Sequence, residues 1–358
     1  MNDILIQIGG NKMDINEYAR MFGDYKQGYH SIGLLCLTAD RQIVNGTVEV
    51  NEVGNAKAFL RDRTSKKWCI VTGGLGNNQV KTMMMGAVCG DVAGSIYEWN
   101  NIKYCPDKNT IIKRTSHFTD DSVMTCAVAN GLMNALSKVA VSVIVNEDYD
   151  TLIEKEIVDS LVKYGKKYPH AGYGGGFRNW IWAEEHQAYN SWGNGSAMRA
   201  SYAGWVAKSL FEAEHFAELS ARVTHNHPEG IKGAKAVAGS IYVLRNGGGK
   251  TDVINYVKQY YDMDLTLDEI RVSYHFDVSC QGSVPQAIEA FIEGSDFADV
   301  ISKAISIGGD SDTIAAIAGS IAEVIYPIPQ GFRGRVVDRL DNYLRNSLIE
   351  VIDFSVSR

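Results

Sequence analysis

From about residue 81 onward apolar side chains recur at helical spacing, and this periodicity limits the possible folds more than any other feature of the chain. Ala234, Ala238, Ile241 and Leu244 form one stripe, closed by "NGGG" at 246–249, and Ile314, Ile317, Ile321 and Ile325 form another, closed by Pro327. Ile153, Ile157, Leu161 and Tyr164 form a third, and Pro285 opens a fourth helix through Ala287, Ile288 and Phe291. Six prolines punctuate all 358 residues, and no repeat marks a solenoid. Residues 79–358 therefore predict one mainly α-helical domain. Residues 1–78 read differently: "SIGLLCLTA", "QIVNGTVEV" and "KKWCIVTGG" are β-rich pieces parted by turn residues such as Asn45 and Gly46, which predicts a small sheet-containing extension.

Composition then removes whole classes of function. A net charge of -7 without basic runs argues against a nonspecific binder of nucleic acid or of anionic membranes. No run of about 18 apolar residues predicts a membrane span, and the N-terminus lacks a basic stretch followed by an apolar core, so the chain reads as cytoplasmic. Cys36, Cys69, Cys89, Cys105, Cys126 and Cys280 form no C-x-x-C pair and read as ordinary core thiols.

The chemistry concentrates at two helix starts. "HFTDDSVMTCAVANGLM" places Thr119, Asp120 and Asp121 before an apolar helix, and "GGDSDTIAAIAGS" does the same with Asp310, Asp312 and Thr313, about 190 residues later. Each alone reads as an N-cap. Together they supply four carboxylates and two hydroxyls, an oxygen-only set that suits Mg²⁺ or Mn²⁺ and, with two ions, a two-metal hydrolase. From spacing alone the pair of caps and the metal site both stand.

Three further elements surround this set. In "GAVCGDVAGSIYEWNN" Gly86, Gly90 and Gly94 recur every four residues, a face for close helix packing, and Asp91 and Glu98 fall on one face if the helix continues. The glycine-rich runs "GYGGGFRNW" and "NSWGNGSAMRAS" expose backbone N–H groups suited to a diphosphate, with Tyr173, Phe177, Trp180, Tyr189 and Trp192 available to stack on a base. In "VTHNHPEG" His225 and His227 lack the spacing of a zinc helix and read as hydrogen-bonding residues.

"GDVAGSIYE", "FTDDSVMT", "GNGSAMR", "THNHPEG" and "GGDSDT", in this order over roughly residues 81–330, resemble the ADP-ribosylglycohydrolase family, which includes the dinitrogenase reductase-activating glycohydrolase and the ADP-ribosyl-acceptor hydrolases. The resemblance implies an all-α, largely orthogonal helical bundle and two Mg²⁺ ions, with Mn²⁺ as a substitute, bound through Thr119, Asp120, Asp121, Asp310, Asp312 and Thr313. It implies that Glu98 stands by the reactive ribose, that Asp120, Asp121 or Glu98 activates water, and that Gly193, Asn194, Gly195, Ser196 and His225 line the ADP-ribose site. The activity implied is removal of mono-ADP-ribose from protein side chains. The intact metal set resembles bacterial enzymes that reverse an ADP-ribosyltransferase, which favours the arginine N-glycosidic linkage; serine-linked and free ADP-ribose derivatives remain alternatives. The extension, residues 1–78, departs from the minimal family pattern and reads either as a packing cap or as a module that blocks a transferase, as in an immunity protein. A catalytically dead ADP-ribose reader is disfavoured by the complete acidic set, and a phosphoesterase by the few histidines near it.

Overall fold

The structure is a computed structural model that describes residues 83–141 and 149–357 and, before them, six strands within residues 5–75. The chain forms two compact units. One comprises residues 1–81 with 330–350 and the other residues 82–329 with 351–358.

In the first unit β1 (Leu5–Ile8) and β2 (Asn11–Asp14) form an antiparallel pair. A second sheet runs β3 (Tyr29–Ile32), β4 (Gly46–Glu49), β5 (Ala56–Asp62) and β6 (Trp68–Leu75), antiparallel throughout. β6 falls in the third β-rich piece and β4 in the second, whereas most of "SIGLLCLTA" lies outside the described residues. The unit also takes in α13 (Gln330–Val337) and most of α14 (Asn342–Ser357).

The second unit is helical. In order it holds α1 (Met85–Gly94), α2 (Asp120–Val141), α3 (Tyr149–Lys167), α4 (Gly175–Ile181), α5 (Ser201–Val206), α6 (Leu210–Arg222), α7 (Pro228–Arg245), α8 (Lys250–Val257), α9 (Leu267–Ser273), α10 (Cys280–Glu293), α11 (Phe297–Ser306) and α12 (Ser311–Ala322). Every residue of α1 and of α12 is buried. A helix enclosed on all sides cannot be amphipathic, and both consist almost wholly of small and apolar residues. The four-residue glycine period provides the approach: a methyl group at Gly86 would overlap the Gly319 carbonyl, one at Gly90 the Ala315 carbonyl, and one at Gly94 the Ser311–Asp312 backbone.

The predicted stripes are found inside: Ile153, Ile157, Leu161 and Tyr164 on α3, and Ala234, Ala238, Ile241 and Leu244 on α7, are buried. Pro285 does not open a helix. α10 begins five residues earlier at Cys280, because Ser279 caps it by accepting from Gly282 N at 3.0 Å, and Pro285 sits in the second turn at the loss of one backbone hydrogen bond. Cys89, Cys126 and Cys280 are buried thiols and Cys105 is exposed; Cys36 and the Cys69 side chain lie outside the described residues. Among the described residues no helix is long and apolar enough to cross a membrane.

Candidate active site

α1 carries the buried Asp91 against the start of α2. Its carboxylate accepts from Thr119 N at 2.9 Å, Thr119 Oγ1 at 2.7 Å, Ser122 N at 3.0 Å and Ser122 Oγ. The α2 N-terminus is thus capped from another helix, and Asp120 and Asp121 are not needed for that purpose. Asp310 occupies the N-cap position of α12 yet makes no cap hydrogen bond; its Oδ2 accepts from Asn194 Nδ2 at 2.6 Å instead. The reading of these acids as two ordinary caps therefore does not describe what they do.

The α1–α12 contact brings the two acidic clusters together. Oxygen atoms of Asp91, Asp121 and Asp312 lie within 4.8 Å of one another, and so do oxygen atoms of Glu98, Asp310 and Asp312. Asp312 belongs to both groups. The hydroxyls of Thr119 and Thr313 each stand 3.2 Å from Asp121 Oδ2. Gly172, at φ +118°, leaves room for Asp120, since a Cβ there would meet Asp120 Oδ1 at 2.9 Å.

Burial, and after it the charge of neighbouring carboxylates, pushes Asp121 and Asp312 well above the ordinary carboxylate range. The same causes lift Asp120 to about 8. Glu98 rises to about 7 through burial and the charges of Asp310 and Asp91, opposed by the Trp99 side chain. Asp91 and Asp310 are raised by burial while their hydrogen bonds pull them back. Asp121 is 1% exposed, and its Oδ1 has no hydrogen-bond partner among the described residues. Such a cluster is costly when ionised unless cations enter it, and a buried, oxygen-only donor set with an orphaned carboxylate oxygen fits a hard divalent ion.

All of these acids except Asp91 line a pocket of about 530 Å³. Glu98, Thr119, Asp120, Asp121, Asp310, Asp312 and Thr313 all line it, as do Gly193, Asn194, Gly195 and His225. Ser196 does not: it is fully buried behind the wall and donates to Gly230 O at 2.7 Å. Of the five aromatic residues read as a stacking surface, Phe177 and Tyr189 reach the pocket, Tyr173 and Trp180 are buried behind it, and Trp192 is on the surface. One wall is an extended pairing in which Asn194 N donates to Val278 O at 2.7 Å and Cys280 N to Trp192 O at 3.0 Å.

His225 lies under this wall, and burial followed by the Arg199 charge holds it far below its ordinary pKa, so it is neutral. Arg199 Nη2 donates to Thr224 Oγ1 at 2.7 Å. Thr224 Oγ1 also stands 2.7 Å from His225 Nδ1, and the other ring nitrogen, Nε2, lies beside Gly193 and Gly195. His227 caps α7 by accepting from Glu229 N at 3.1 Å.

Sequence reasoning missed two parts of the site and misplaced a third. Glu98 is not on the α1 face that carries Asp91, because α1 stops at Gly94 and Glu98 stands in the following turns. Asn101 and Lys103 hold those turns: Gly309 N donates to Asn101 Oδ1 at 3.2 Å, and Lys103 Nζ donates to Tyr274 O at 2.7 Å and Ile307 O at 2.6 Å. Arg199, fully buried and touching the pocket, carries no predicted role within "NSWGNGSAMRAS". A cation between apolar residues was the available signal.

The defining pattern of ADP-ribosylglycohydrolase matches residues 76–354. The mouse ADP-ribosylhydrolase ARH3 is 26% identical over 322 residues, covering 69% of this chain and 83% of that protein, and the human ADP-ribosylhydrolase ARH3 is also 26% identical, with 69% and 85% covered. An uncharacterised protein of Archaeoglobus fulgidus is 34% identical over 146 residues, 36% of this chain and 47% of its own length. Among solved structures, an ADP-ribosylglycohydrolase-related protein complex superposes with a TM-score of 0.51 at 19% identity, over 75% of this chain and 98% of that one, which shows a shared fold. With the family pattern spanning well over half of its length, the chain belongs to the ADP-ribosylglycohydrolase family of hydrolases.

Proposed function

We propose that the protein hydrolyses the bond between ADP-ribose and a modified protein side chain, the arginine N-glycoside in particular, in a site that binds two Mg²⁺ ions. The observation that carries this reading is the pair of carboxylate groups sharing Asp312 at one pocket. Thr119, Asp120, Asp121, Asp310, Asp312 and Thr313 would hold the ions, and Asn194 keeps Asp310 turned toward them. When bound, the ions supply positive charge that offsets the carboxylates and orients ribose hydroxyls.

The chain's own groups supply the rest. Glu98, half-buried beside Asp310 and Asp312, is placed to take a proton from water as its oxygen attacks the anomeric carbon. The bonding pair of the broken C–N bond leaves with the guanidine, which takes up the proton that Glu98 received. Neutral His225 and the backbone at 193–195 face the ADP-ribose moiety without adding charge.

The test is release of free ADP-ribose from an arginine-ADP-ribosylated protein, with Mg²⁺ or with EDTA. Release only with metal supports the reading. Release from a serine-linked substrate alone overturns the linkage assignment, and binding of ADP-ribose without release from either substrate makes the protein a reader.

A further inference from the structure

Beside Glu98 the pocket opens onto two aromatic rings that the chemistry above does not use. Trp99 and Phe276 stack with ring centroids 4.9 Å apart and planes inclined by 14°, and both line the pocket. Trp99 is nonetheless 78% exposed and Phe276 42% exposed. A large ring stacked on one face and bare on the rest is unusual for a residue whose only task is packing.

Three observations fix what the bare face can take. Trp99 directly follows Glu98, whose oxygen lies within 4.8 Å of oxygens of Asp310 and Asp312, so the indole stands just outward of the reacting centre. The platform is also held in advance: Lys103 bonds the chain segment of Trp99 to the Tyr274 carbonyl, two residues from Phe276, and to Ile307, and Asn101 accepts from Gly309 N. Glu98, Asp120, Asp121, Asp310 and Asp312 line the same pocket, and their combined negative charge exceeds that of two divalent ions, which favours a cation over an anion.

We infer that the open face of Trp99, backed by Phe276, is the surface on which the planar guanidinium of an ADP-ribosylated arginine stacks, and that it selects this leaving group. The inference rests on the proposed hydrolysis of the arginine linkage and names the residue that recognises the acceptor side. Guanidinium is flat, cationic and weakly hydrated, the three properties that an indole face beside carboxylates rewards. A serine O-glycoside offers neither a plane nor a charge at that position.

The experiment uses the full-length protein with Mg²⁺, an arginine-ADP-ribosylated peptide and a serine-ADP-ribosylated peptide as substrates, and free ADP-ribose as an inhibitor. Trp99→Ala is expected to raise KM for the arginine-linked peptide by about 3- to 30-fold. Trp99→Phe, which keeps a ring, should hold KM near the wild-type value. Trp99 also touches the Glu98 carboxylate, so any change in kcat should be equal in the two variants. The inhibition constant of ADP-ribose should be unchanged in both. A matching rise in that constant would place Trp99 at the ADP-ribose moiety and overturn the inference, as would an unchanged KM in Trp99→Ala or an equal rise on the serine-linked peptide. Failure of the linkage reading looks different: the wild-type protein itself then leaves the arginine-linked peptide intact, which overturns both.

Discussion

Asp91 accepts four hydrogen bonds from the start of α2, while Asp121 and Asp312 are left among other carboxylates. The acids thus divide into one that positions and others that are positioned. Asp312→Asn keeps the shape and removes the charge shared by the two groups, so release of ADP-ribose should fall at least about a thousand-fold. The rise in melting temperature that Mg²⁺ produces should shrink in the same variant, as thermal unfolding with and without the ion would show. The metal-free protein carries a pH signature of known sign. Asp120 at about 8 and Glu98 at about 7 lie above their values in the unfolded chain, which are about 4. The folded state therefore binds more protons, and stability fully present below about pH 4 is lost as pH rises through 7 to 8. Melting in EDTA should drop by roughly 5 °C between pH 5 and pH 8 and become nearly flat with Mg²⁺; a flat profile in EDTA would contradict the crowding of these acids.

At the scale of elements, the glycine face of α1 decides whether the two acidic clusters meet. Gly90→Ala drives a methyl into the Ala315 carbonyl and should cost about 2–3 kcal/mol in urea unfolding, whereas Gly174→Ala, which meets nothing within 4 Å, should cost less than about 0.5 kcal/mol. Lys103 joins the Glu98 turns to the loop before α10 and to the end of α11. Lys103→Met should lower kcat by about 10- to 100-fold with little change in melting temperature, because it releases Glu98 from its position and leaves the core intact. Much of this was legible. Helical stripes and clusters of acids and hydroxyls are local patterns, so α3, α7 and both acidic clusters could be read directly. The four-residue glycine period even announced a close helix contact, though not its partner. Misreadings came where a terminus depends on weaker local signals: the α1 stop at Gly94 moved Glu98 off the expected face, and the Ser279 cap outweighed Pro285. The Lys103 and Asn101 contacts span about 170 to 210 residues of chain, and no local pattern carries them.

Across the whole molecule, the described residues that line the candidate pocket fall between Glu98 and Thr313. We propose that the extension, residues 1–78, is separable from the chemistry. A chain beginning at Val80 should therefore release ADP-ribose with kcat within about twofold of the full-length protein; retained helical circular dichroism with lost release would assign the extension a place in catalysis. The sheet in this region was foreshadowed by its β-rich pieces, but a partner-binding role leaves no mark in such patterns.

The packing of α1 on α12 also has a consequence during synthesis. Asp121 leaves the ribosome about 190 residues before Asp310, which at roughly 5–20 residues per second is an interval of about 10–40 s. Throughout that interval the nascent chain holds Asp91, Glu98, Asp120 and Asp121 without Asp310 and Asp312. Asp91 is already present and can occupy the exposed amides of α2, so the early helix pair has its polar groups satisfied while it waits. Asp310 and Asp312 arrive last, and with Asp312 both acidic groups are completed, so the full crowding of carboxylates sets in only then.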